Sequence, residues 1–164
     1  MYEVPGVKLI PQLLKKSCWY ASAQMLIQWR MDKDQQSLSW LVPPELDEEC
    51  TKIRDGNGGI FNPQILPMAK RLGLVAIPPM SPTVETLDSW LHNYGPLWVN
   101  GKTHIVVLGG IDTSNKTVKV FDPGPVGIGR VEWRSLETWY AFGTSPSTRD
   151  TASDVQAVFL HVPR

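Results

Sequence analysis

The stretch from His104 to Asp122 constrains the fold more than any other part of the chain. His104-Ile105-Val106-Val107-Leu108-Gly109-Gly110-Ile111 is an apolar, β-branched run of strand length, and Thr117-Val118-Lys119-Val120-Phe121 is a second. Between them Asp112-Thr113-Ser114-Asn115-Lys116 is polar, so the two runs read as strands of one hairpin. If the loop centres on Ser114, His104 faces Gly124 and Val106 faces Asp122. His104 and Asp122 then lie diagonally on one face, with backbones about 7–8 Å apart and side chains within reach. Gly109-Gly110 is a place where a bulge can shift that register.

Strand signals occupy the second half of the chain and helix signals the first. Leu97-Trp98-Val99-Asn100 and the segment from Val155 to Val162 are further strands, and Ser135-Leu136-Glu137 opens a short helix carrying Trp139 and Tyr140. Upstream, Ser17 is placed to cap a helix from Cys18 to about Arg30. Its Ala21, Met25, Ile27 and Trp29 do not form one clean stripe, which fits a mostly buried helix. Leu38 to Glu48 contains Pro43-Pro44 and reads as irregular before a short helical stretch, and Asp55-Gly56-Asn57-Gly58-Gly59 as a loop. Asn62-Pro63 opens a helix closed by Gly73, and Ser81-Pro82 opens another with Val84, Leu87 and Leu91 on one face, stopped near Gly95-Pro96. Helices first and antiparallel strands afterwards predict an α+β architecture. With 164 residues, no repeat and no linker, residues 1–164 read as a single domain.

Composition narrows the functions open to such a domain. Sixteen basic residues balance sixteen acidic ones, which argues against a dedicated nucleic-acid binder, and no Lys/Arg run offers a membrane patch. No apolar run reaches the roughly 20 residues of a membrane span. The N-terminal MYEVPGVKLIPQLLKKS lacks the pattern of a Sec signal peptide. Cys18 and Cys50 are the only cysteines, so at least one free thiol is the expectation. No C-x-x-C or H-x-x-x-H suggests a metal, and Gly124 to Gly129 lacks the Lys and Ser/Thr of a phosphate loop. No metal and no cofactor are expected.

Chemistry concentrates at Cys18. A cysteine attacks as its thiolate, and the positive end of a helix favours that anion, with Lys15 and Lys16 adjacent. Taken alone, a free cysteine is more often a small core residue. Gln12, six residues before Cys18, carries an amide able to donate to an oxyanion beside the Cys18 N–H. His104 is the one polar group at the head of an apolar strand, where a base would serve the thiol and where a structural histidine is the competing account. Asp122 would hold the imidazole's tautomer and stabilise its charged form, against the simpler role of a turn aspartate before Pro123-Gly124. Cys50 follows Asp47-Glu48-Glu49, whose charge disfavours a thiolate, and is read as inert. His92 and His161 have no motif around them. The seven tryptophans are read as core and packing residues, with Trp19, Trp98 or Trp133 lining a cleft beside the catalytic groups as the sharper alternative.

Ile10-Pro11-Gln12 and Lys16-Ser17-Cys18-Trp19-Tyr20-Ala21-Ser22 resemble the nucleophile helix of papain-like cysteine proteases, including the glutamine-to-cysteine spacing and the aromatic residue after the cysteine. Gly95-Pro96-Leu97-Trp98-Val99, Thr103-His104-Ile105-Val106-Val107 and Val120-Phe121-Asp122-Pro123 resemble the strand block of the same superfamily. The likeness is to its bacterial members, the bacteriocin-processing peptidases and avirulence-type effectors. It implies a papain-like fold, with the nucleophile helix of the N-terminal half packed on a C-terminal antiparallel sheet. It implies Cys18 as nucleophile, His104 as base, Asp122 as orienting acid and Gln12 at the oxyanion hole. The chain differs from plant papains in lacking their disulfides, in being shorter, and in placing Asp where they have Asn.

The expected activity is that of a cysteine hydrolase, a peptidase or amidase working through a thioester. The same groups would equally serve a deamidase or transglutaminase, or cleave peptidoglycan amides, and a non-catalytic binding module on this fold is the alternative outside enzymes. The expected partner is a protein or peptide substrate, with a cognate immunity or inhibitor protein if the chain is a bacterial effector or toxin. A monomer is expected, cytoplasmic or exported by a specialised secretion system.

Overall fold

The computed structural model describes residues 1–77, 80, 82–100, 104–136 and 158–163. Its centre is the hairpin of β4 (Ile105–Asp112) and β5 (Thr117–Asp122), an antiparallel pair with Val107 opposite Phe121 and Leu108 opposite Val120. Past Leu108 the register shifts by one, so that Gly110 faces Lys119 and Asp112 faces Thr117, with Gly109 as the extra residue of a bulge. The turn is built by Asp112, whose Oδ1 accepts the N–H of Ser114 at 3.1 Å and of Asn115 at 3.2 Å.

Around this hairpin lies a seven-stranded sheet whose pairs are all antiparallel. The other strands are β1 (Tyr2–Glu3), β2 (Val75–Ile77), β3 (Leu97–Asn100), β6 (Arg130–Ser135) and β7 (Phe159–His161). The order is β2-β7-β3-β4-β5-β6, with β1 pairing with β4 beside Gly110 and Ile111. Every residue of β3 and β4 is buried, which explains why these strands read as unbroken apolar runs rather than alternating ones.

Among the described residues four α-helices accompany the sheet: α1 (Cys18–Asp34), α2 (Glu48–Gly56), α3 (Asn62–Leu72) and α4 (Val84–Tyr94). Nine residues of α1 are buried, without a single stripe, because the helix lies against β3 and β4 and under other segments at once. Two side chains tie it down: Trp98 Nε1 donates to the Trp19 carbonyl at 3.1 Å, and Ser22 Oγ donates to the Ile105 carbonyl at 3.4 Å. Asp47 caps α2 by accepting the Cys50 N–H at 3.0 Å and also pairs with Arg71 of α3 at 3.1 Å. Gly73 closes α3 in the left-handed region (φ 84°), where a Cβ would lie 2.2 Å from the Trp40 carbonyl oxygen.

The helical half packed on an antiparallel sheet is the α+β arrangement expected from the sequence, and several details differ. Ser17 precedes α1 but its hydroxyl does not cap it; Ser17 Oγ bonds the backbone of Leu14 instead. α2 continues through Gly56 and ends at Asn57 in the left-handed conformation. Thr83 is the cap of α4, its hydroxyl accepting from Thr86 N at 3.1 Å, while Ser81 lies outside the described residues. Ser135 does not open a helix but closes β6, an edge strand whose neighbour β5 dictates its conformation. Glu137, Trp139 and Tyr140 lie outside the described residues, as do Val155 to Ala157 of the final strand.

Candidate active site

Cys18 is the first residue of α1, so its backbone N–H is among the donors that no helical carbonyl reaches. No acidic residue occupies the first turn to oppose an anion there. The segment leading into the helix is held in place by side chains and backbone. Gln12 Nε2 donates to the carbonyls of Leu14 at 2.9 Å and Lys15 at 2.8 Å, and Lys16 N donates to Asn57 Oδ1 at 3.1 Å.

His104 stands at the head of β4 and Asp122 at the end of β5. Extending the Val107–Phe121 register places them on the same face, and His104 Nε2 bonds Asp122 Oδ1 at 2.6 Å. The ring also hydrogen-bonds the Cys18 thiol. Asp122 is 3% exposed and fully used: Oδ1 also accepts Gly124 N at 2.9 Å, and Oδ2 pairs with Arg134 Nη2 at 2.9 Å.

Electrostatics follow from these contacts. Burial works against a charged imidazole at His104, but the bonds to Asp122 and Cys18 and the attraction of their charges outweigh it, pushing the ring's pKa up to about 9. For Asp122, burial raises the carboxyl, and the His104 bond and charge, then Arg134 and Gly124, hold it below the ordinary range.

Cys18 and His104 open into a cleft of about 250 Å³ whose walls include Trp19, Gly59, Ile65 and Asn100, with Lys15 and Lys16 at its edge. Trp98 is fully buried behind Trp19, and Trp133 lies on β6 outside this lining. Gln12 also lies outside it, 4% exposed, its backbone pinned by Gln12 N to the Pro123 carbonyl at 2.9 Å and by Gly127 N to its own carbonyl at 2.8 Å. Both amide hydrogens are committed to Leu14 and Lys15. Gln12 Oε1, Asp122 Oδ1 and His104 Cε1 converge on Gly124: a Cβ there would lie 3.3, 3.5 and 3.5 Å from them.

The remaining candidates stand apart. Cys50 is buried, and burial first and Asp47 second push its thiol up to about 12. His92 stacks on Tyr2 with its Nδ1 at the Asp88 carbonyl, and His161 is buried against Tyr94 and lowered by that burial. Among the described residues no group of His, Cys, Asp and Glu is arranged to hold a metal ion. Arg134 was not singled out from the sequence; the signal for it is the alternation of Arg130, Glu132 and Arg134 with Val131 and Trp133, a period-2 strand pattern.

Residues 2–140 match the family model of the papain-like cysteine protease AvrRpt2. The chain belongs to this family. Its family and fold are therefore those of the papain-like cysteine proteases. No curated protein matches the chain. Among solved structures, UfSP from C. elegans shares the fold at 12% identity with a TM-score of 0.57, over 99% of this chain and 35% of that one. The chain thus spans about a third of the length of UfSP.

Proposed function

We propose that the protein hydrolyses amide bonds of protein or peptide substrates through a thioester on Cys18, with His104 and Asp122 completing a triad. His104 takes the Cys18 proton, Sγ attacks the carbonyl carbon, and the oxyanion accepts from the Cys18 N–H. Gln12 joins it by releasing one of its two carbonyl partners, Leu14 or Lys15. The charged His104 ring gives its proton to the departing amine as the C–N bond breaks. The neutral ring then takes a proton from water, whose oxygen attacks the thioester, releasing the acid and restoring the thiol. Asp122 holds the ring's tautomer throughout. A bacterial effector or toxin acting as a monomer, with a cognate inhibitor, is the setting that family likeness favours.

The observation that carries this reading is the 2.6 Å bond from His104 Nε2 to Asp122, made by a ring that also bonds Cys18. Iodoacetamide labelling across pH, followed by peptide mapping, tests it. Rapid modification of Cys18, slowed in His104→Ala, is expected, with buried Cys50 left unlabelled as an internal control. Incubating the protein with an unfolded protein substrate should yield new N-termini that Cys18→Ala does not produce. Cys18 labelling only at alkaline pH, indifferent to His104, would overturn the proposal.

A further inference from the structure

We propose that Arg134 is a positioning residue of this site: it anchors Asp122 and offsets the carboxylate's charge, so that His104 can release its proton as well as hold it. The inference rests on the triad reading above. Asp122 is buried and receives three donors, two on Oδ1 from His104 and Gly124 and one on Oδ2 from Arg134. Arg134 belongs to β6, opposite Val118 rather than Asp122, so its side chain runs along the sheet to reach the carboxylate. Glu132 holds it on the way, accepting Nε of Arg134 at 2.7 Å and pairing with Nη2 at 2.7 Å. The Arg134 side chain is 11% exposed, shielded enough for its charge to count.

Two half-reactions place opposite demands on the imidazole. It must be charged to protonate the leaving amine, then neutral to activate water. A buried carboxylate with no other counter-charge would keep the ring protonated and slow the second step. A guanidinium on the far oxygen leaves the hydrogen bond to His104 intact while drawing away part of the negative charge. Asp122 then holds the ring with less than its full charge. Among the described residues, the titratable and charged groups around Asp122 are His104 from β4, with Cys18 beyond it on α1, and Arg134 and Glu132 from β6; Arg130 pairs with Asp122 along the backbone but is exposed.

The competing account is an ion pair that only fastens the edge strand. Arg134→Gln, Arg134→Lys and Glu132→Gln separate the two through the pH profile of kcat/KM on a cleavable peptide, with iodoacetamide labelling in parallel. Arg134→Gln should move the alkaline limb upward by about one pH unit and lower kcat about tenfold with little change in KM. Arg134→Lys should return the limb most of the way. Glu132→Gln, an exposed change that spares the fold, should move the limb slightly downward, because Arg134 then gives its full charge to Asp122. A limb unmoved in Arg134→Gln and Glu132→Gln, with activity lost only in proportion to stability, would overturn the proposal. If Arg134→Gln does not fold, Arg134→Lys and Glu132→Gln decide it by the direction of the limb. Failure of the triad reading itself looks different: Cys18→Ala would remain active.

Discussion

Asp122 lies 18 residues from His104 along the chain and 2.6 Å from its Nε2 in space, and the single extra residue Gly109 decides whether they meet. Near the turn, β4 and β5 pair as Asp112 with Thr117 and Gly110 with Lys119. Carried unchanged toward the site, that register would set Val107 against Asp122 and turn the carboxylate to the sheet face opposite His104. The bulge shifts the pairing by one, to Leu108 with Val120 and Val107 with Phe121, and one residue of shift exchanges the two faces. Gly109 also gives its carbonyl to Val4 N at 2.9 Å, which fastens the N-terminal segment to the bulge.

The bulge has room for glycine alone. A Cβ on Gly109 would lie 2.5 Å from Phe121 Cε1, on a ring that is itself buried between strands. Gly109→Ala should destabilise the protein by about 1–3 kcal/mol, read as a lower denaturant midpoint. Activity measured where the variant is still folded should fall further than that loss explains, because the His104–Asp122 face is set here. A variant that keeps full activity per folded molecule would show that the register is held by other contacts.

Asp122 supplies the strongest contact favouring a charged His104, against the opposing pull of burial. Asp122→Asn keeps an acceptor for Nε2 and removes the charge. The ring should then titrate at least about one unit below its present value of about 9, and the alkaline limb of activity should move down with it. Activity at pH 8 should drop about tenfold while activity near pH 6 drops less. An unshifted limb would mean that a group other than His104 sets it.

Stability should follow the same two groups with opposite signs. His104 has a raised pKa when folded, so its contribution is complete below the ordinary 6.5 and is lost as pH rises through about 9. Asp122 has a lowered one, so its contribution is complete above 3.8 and is lost as pH falls. The protein should be most stable between about pH 4 and 6.5 and lose on the order of 2 kcal/mol by pH 9.5. Urea midpoints at pH 5.5 and 9.5 check this, and His104→Gln should flatten the difference. Equal slopes for the two proteins would contradict the assignment.

The elements legible in the sequence are those whose pattern is decided locally. Leu97–Asn100 and α3 stand where their apolar runs and Pro/Gly boundaries placed them, because burial and capping act on neighbouring residues. The hairpin register was reached by two compensating departures. The turn centres between Ser114 and Asn115 rather than on Ser114, and the Gly109 bulge takes back the difference. β2 with three residues and β1 with two are strands only because a neighbour pairs with them, so no local signal marks them. β6 alternates charged and apolar residues but is almost wholly exposed, so its strand is fixed by pairing with β5 rather than by a buried face. Gln12 matches the expected spacing, but where its amide points is set by the carbonyls of Leu14 and Lys15, a conformational fact that spacing does not carry.

Gly124 offers the sharpest test of how closely the site residues must approach one another. Its backbone lies outside the left-handed region, so a side chain there is judged by contact alone. The Cβ of Gly124→Ala would lie 3.3 Å from Gln12 Oε1, tighter than ordinary packing, and 3.5 Å from both Asp122 Oδ1 and His104 Cε1. Accommodating it means moving Gln12 by a few tenths of an ångström, and a branched side chain means moving the His104–Asp122 pair as well. Gly124→Ala should therefore lower kcat several-fold with a midpoint change below about 1 kcal/mol, and Gly124→Val should lower it about a hundredfold. Iodoacetamide labelling of Cys18 should slow in the same order, since the thiol shares the displaced ring. If both variants labelled and turned over at the wild-type rate, the convergence of Gln12, His104 and Asp122 on this glycine would be packing without catalytic consequence.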